Sequence, residues 1–179
     1  MKATINATRV IRRCIMCLAL SLMAMAALPL RSQAAQVDKQ VPFRAAFTTE
    51  FESDVISEMP PIALITVNGE GQGTHRGKAT AGTTNQLVNL DNGASTATYT
   101  FTAANGDTVV LEEAFQSTVD PISGRVTFEG TYEVTGGTGR FAGATGSGML
   151  IGSAVFTSAT GGVGSFTVTG TISSPGSLK

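Results

Sequence analysis

From Val41 to Ile172 apolar side chains recur at every second position, and clusters of Gly, Asn, Asp and Pro separate the runs. A period of two marks half-buried strands rather than helices. The first run, Val41 to Glu52, puts Val41, Phe43, Ala45, Phe47 and Phe51 on one face and Arg44, Thr48, Glu50 and Glu52 on the other. Met59-Pro60-Pro61 ends it, and Ile62 to Thr74 and His75 to Asn89 read as two glycine-rich strands.

The turn LDNGAS (Leu90 to Ser95) precedes TATYTFTA, where Ala97, Tyr99, Phe101 and Ala103 alternate with threonines. Asn105-Gly106 then predicts a type I′ hairpin turn, in which both central residues take positive φ. Thr108 to Val119 is the next strand, closed by DPISG. RVTFEGTYEVT, ATGSGMLIGSAVFTS and SFTVTGTIS follow, the last two joined by ATGGVG. A short turn around Ser53 to Ser57 is the one helical candidate.

About eight such strands, each with one apolar face, must close on themselves or pack as two layers. The pattern therefore predicts an all-β, eight-stranded antiparallel barrel, with a β-sandwich as the alternative. The 21 glycines suit the bends that closure needs. A barrel of this size is filled by side chains or holds one small ligand.

The first 34 residues stand apart. Lys2, Arg9, Arg12 and Arg13 precede an apolar run from Ile15 to Leu30, and Ser32-Gln33-Ala34 forms a small-x-small site. This order predicts a signal peptide cut after Ala34, an uncleaved membrane anchor being the alternative. The mature domain is then residues 35–179, secreted or periplasmic and free of the membrane. Cys14 and Cys17 leave with the leader, which removes thiol and disulfide chemistry. Seven basic residues remain against 13 acidic ones, a net charge of −6 that argues against nucleic acid as a partner.

VTGGTGRFAG, Val134 to Gly143, nearly spells a dinucleotide-binding loop. Gly137, Gly139 and Gly143 have the wrong spacing, though, and the segment that follows has period two rather than helical periodicity. No Gly-Lys-Ser/Thr follows either. Gly136, Gly137, Gly139 and Gly143 therefore read as a structural turn, and no nucleotide, metal or other cofactor is expected.

The segment TYEVTGGTGRFAGATGSGMLIG, Thr131 to Gly152, resembles the signature of the allene oxide cyclase and dirigent barrels. GGVGSFTVTGTI, Gly161 to Ile172, is similar to their closing strand. The resemblance covers about the last 45 residues well and the rest by strand count. It implies a calycin-like barrel with a mostly apolar cavity, in which the GGTG segment has no catalytic role and homo-oligomers are permitted. The polar cavity residues of either plant family do not map onto this chain.

Candidate chemistry comes from the alternation itself. Val109, Leu111, Glu113 and Phe115 share a face, so Glu113 points to the apolar side, where its pKa would rise and mark a functional site. The alternatives are a bulge at Glu112-Glu113 that turns one acid out, or pairing with an interior Arg or Tyr. Tyr99 and Tyr132 also lie on apolar faces and are catalytic or ligand-binding candidates with Glu113, or core residues. Arg140 is a weaker ligand-binding candidate at the barrel mouth, the alternative being that it caps the turn or pairs with a nearby acid. His75, between Thr74 and Arg76, reads as a surface loop, and Glu50, Glu52 and Asp54 as a solvated face.

Two function classes follow. One is a binding or structural barrel without catalysis, taking a small apolar ligand if hollow. The other is a cyclase-like or dirigent-like enzyme that steers a reactive apolar substrate. A hollow barrel lined by Glu113 points toward the second, and a filled one toward the first.

Overall fold

Alternation becomes closure because every strand pairs with its sequence neighbour and the last returns to the first. The computed structural model describes residues 39–173. The strands are β1 (Gln40–Glu58), β2 (Pro61–Gly73), β3 (Gly77–Asn89), β4 (Ala94–Ala103), β5 (Thr108–Val119), β6 (Val126–Gly137), β7 (Gly146–Phe156) and β8 (Gly161–Ser173). All pairs are antiparallel. β1 and β8 run in unbroken register from Gln40 opposite Ser173 to Glu52 opposite Gly161, which seals the barrel and excludes the sandwich. The expected leader and its cut after Ala34 lie outside the described residues.

Two local expectations are corrected. Ser53 to Ser57 is strand, not a turn: Ile56 is the extra residue of a bulge between Val55 and Ser57, and β1 continues past it to Glu58. The Asn105-Gly106 turn is not type I′, because only Gly106 has positive φ. Gly106 N–H donates to Ala103 O (2.9 Å) and Ala103 N–H to Asp107 O (2.9 Å), the pattern of a three-residue hairpin loop with glycine in the left-handed position.

The aromatic side chains fill the barrel in layers. Midway, Phe47 packs on Phe101 (centroids 4.8 Å apart) and Phe166 (5.2 Å), and Tyr99 meets Phe166 edge-on (5.6 Å). At one end Phe43, Tyr132 and Phe141 are fully or almost fully buried beneath the β2–β3, β4–β5 and β6–β7 turns. Toward the other end Phe115 packs on Phe128 and Phe51 on Phe156, which is half exposed beside a cavity. The barrel is closed at the first end and hollow at the second.

Candidate functional site

A cavity of about 490 Å³ opens at the hollow end. This lies within the roughly 300–1,000 Å³ of small-molecule sites. Its walls are mainly apolar, including Ile65, Val67, Phe115, Phe128, Leu150 and Phe166. Leu90, Val119 and Phe156 stand where it opens and are each about half exposed, at 51, 59 and 49%.

Glu113, Tyr99 and Gln86 place polar groups in this apolar space. Strand parity puts Glu113 there. β4 and β5 pair without a bulge from Ala94–Gln116 to Thr102–Thr108, so Glu112 faces out and Glu113 in, at 5% exposure. Its Oε1 is buried and has no hydrogen-bond partner among the described residues. Burial disfavours the charged form and pushes the Glu113 carboxyl up to about 8. It is therefore largely protonated at neutral pH.

The Tyr99 hydroxyl donates to Gln86 Oε1 (3.1 Å), which ties β4 to β3 inside the barrel. Burial, reinforced by Glu113, raises its pKa far above that of a free phenol. Gln86 is out of step with Ala79 and Ala81, the inward residues of the first half of β3. β3 carries one extra residue between Gly82 and Leu87, pinned by Asn85 Oδ1 accepting from Thr83 Oγ1 (2.8 Å) and Thr98 N (3.0 Å). That bulge flips the parity, so Gln86 and Val88 point in and Leu87 points out.

Tyr132 sits opposite Glu113 across the β5–β6 pair and belongs to the closed end. It is 1% exposed, and its hydroxyl has no hydrogen-bond partner among the described residues. Burial is the main cause that raises its pKa to about 12. The ring fits because Gly148 and Gly170, paired across β7–β8, leave its hydroxyl the space that a Cβ on either would occupy.

Arg76, like Gln86, is a residue that sequence reading missed. It lies in the polar β2–β3 turn, where composition points to solvent, yet it is 5% exposed. Its guanidinium carbon lies 4.5 Å from the Phe43 centroid and 4.8 Å from that of Phe101. None of its three nitrogens has a hydrogen-bond partner among the described residues. Burial lowers its pKa to about 10, still charged at neutral pH. Arg76 is part of the closed end and does not line the cavity. His75 beside it is exposed, with its Nε2 3.1 Å from Pro42 O.

Arg140 is likewise outside the cavity. It is at the closed end, 3.4 Å from Asp107 Oδ2 and over the Phe141 ring. The glycine segment around it has its amides engaged by the chain itself. Thr138 N–H donates to Thr108 O, Arg140 N–H to Asp107 Oδ2, Phe141 N–H to Thr138 O and Ala142 N–H to Gly139 O. Gly136 and Gly137 end β6, Gly139 (φ +57°) opens a short 3-10 turn over Asp107, and Gly143 (φ +70°) follows it. A carboxylate therefore occupies the place where a phosphate cradle would present free donors.

The fold and site define a closed antiparallel barrel with a plugged end and, at the other, a mainly apolar cavity that holds the polar groups of Glu113, Tyr99 and Gln86. No protein-family model, curated protein or solved structure matches the chain.

Proposed function

We propose that this is a secreted or periplasmic barrel protein that binds a small apolar ligand in its open-ended cavity. The observation that carries the reading is the apolar space of about 490 Å³, rimmed by exposed Leu90, Val119 and Phe156 and continuous with solvent. An empty apolar cavity forfeits dispersion contacts that a ligand restores, and burying apolar ligand surface releases about 25 cal/mol per Å². The polar groups there supply orientation: Tyr99 and Gln86 hold each other, and Glu113, which lines the cavity, has a buried oxygen without a hydrogen-bond partner among the described residues. No nucleic acid, membrane, metal or cofactor enters this reading, and self-association of barrels is compatible with it.

The presence of Glu113 in the cavity favours a second reading, an allene oxide cyclase-like or dirigent-like enzyme that steers a reactive apolar substrate. In that case Glu113 would act as a proton donor, with Tyr99 as its polar neighbour.

Titration with the neutral fluorophore N-phenyl-1-naphthylamine tests the binding reading. Saturable enhancement is expected in the native protein, with strong loss in Ala154→Phe, which fills the cavity. No enhancement in a folded sample, or equal enhancement in the filled variant, contradicts it. Turnover of an unstable epoxide or a radical pair that Glu113→Gln abolishes would establish the second reading.

A further inference from the structure

We propose that the cavity selects a neutral, largely apolar molecule carrying one hydrogen-bond acceptor, a ketone, ester or ether oxygen, which seats against the Glu113 carboxyl. This rests on the ligand-binding reading above and names the chemistry of the ligand.

Three observations carry it. Glu113 is 95% buried and lines the cavity, and its Oε1 has no hydrogen-bond partner among the described residues, so the wall contains an unsatisfied polar group. Such a group is costly in an apolar enclosure until something pairs with it. Second, no Lys, Arg or His among the described residues lines the cavity. A carboxylate ligand would surrender its hydration with no cation to receive it, because Arg76 is committed between Phe43 and Phe101 at the closed end. Third, the charged and titratable groups around Glu113 do not ionise it. Tyr99 from β4 and Tyr132 from β6 face it as neutral phenols, Arg76 stands at the closed end with Tyr132, and Asp91 belongs to the opening.

The protonated carboxyl is thus a donor in search of an acceptor, and burial supports that state. An ammonium ligand would have to strip the proton and bury an ion pair, which is expensive without further hydrogen bonds. A pure hydrocarbon would fill the space and leave the carboxyl unsatisfied.

The test compares four probes of one chain length, methyl nonyl ketone, undecane, undecanoate and undecylamine, by displacement of N-phenyl-1-naphthylamine from the full mature protein. At about pH 6 the ketone is expected to bind about ten-fold tighter than undecane, the size of one net hydrogen bond. Its affinity is expected to fall about ten-fold by roughly pH 9.5 as Glu113 ionises. Glu113→Gln keeps a donor and removes that pH dependence, while Glu113→Leu brings the ketone down to the level of undecane. Circular dichroism of both variants establishes that they are folded. Equal affinity for ketone and hydrocarbon, tightest binding of the acid or the amine, or a pH dependence that persists in Glu113→Gln overturns the proposal and leaves the binding reading standing. Failure of all four probes and of the fluorophore overturns both.

Discussion

Glu113 and Tyr132 face each other across the β5–β6 pair, both directed into the barrel, and neither finds a hydrogen-bond partner among the described residues. They lie on the two sides of one boundary. Glu113 lines the cavity, and Tyr132 belongs to the packed plug with Phe43.

The raised Glu113 pKa makes the fold sensitive to pH. In the unfolded chain this carboxyl ionises near 4.5, and in the barrel near 8. Between those values the unfolded state binds fewer protons, so stability falls as pH rises. The loss between about pH 5 and pH 8 is roughly 4 kcal/mol. Urea denaturation across this window should show that decline in the wild type and a nearly flat profile in Glu113→Gln. Parallel profiles would place the carboxyl in water.

Tyr132 separates shape from polarity. Tyr132→Phe removes an unsatisfied hydroxyl and keeps the ring, so its stability should match or exceed that of the wild type, by up to about 1 kcal/mol. Gly148→Ala and Gly170→Ala put a methyl where the hydroxyl and facing backbone already sit, and should each cost about 1–3 kcal/mol or more. Denaturant midpoints decide. A large loss in Tyr132→Phe would reveal a hydrogen bond to a buried water.

At the closed end, Arg76 is held by two rings rather than by an acid. Arg76→Met keeps the length, removes a desolvated charge, and should fall within about 1 kcal/mol of the wild type or above it. Arg76→Ala opens a hole over Phe43 and Phe101 and should lose about 2–4 kcal/mol. Equal losses in the two variants would mean that the charge itself is required.

Leu90 and Val119, half exposed at the opening, contribute little to the fold. The double change Leu90→Ser, Val119→Ser should move stability by less than about 1 kcal/mol. It should weaken uptake of N-phenyl-1-naphthylamine several-fold. Unchanged uptake would place ligand entry elsewhere.

The alternation carries most of this architecture because a barrel strand has one inside and one outside. β5 begins at Thr108 and ends at Val119, as the pattern predicts, and the same parity turns Glu113 inward. The limits are equally physical. An extra residue in β3 flips its parity, so unbroken alternation from Ala79 would turn Gln86 outward, whereas it lines the cavity. Arg76 sits in a polar turn that folds over the end of the barrel, and no periodicity extends through a turn. Asn105-Gly106 marks the right place for a hairpin, while the turn type depends on a third loop residue, Ala104. Whether the barrel is filled or hollow depends on how Phe47, Phe101 and Phe166 cluster midway, which is a matter of three-dimensional packing.

Native mass spectrometry of the protein, purified gently from its own host and compared with the denatured mass, tests the hollow-barrel claim most directly. The expected result is a small neutral molecule that stays with the folded barrel, leaves on denaturation, and is absent from Ala154→Phe. An apo mass in every preparation, together with no uptake of added methyl nonyl ketone, would contradict it.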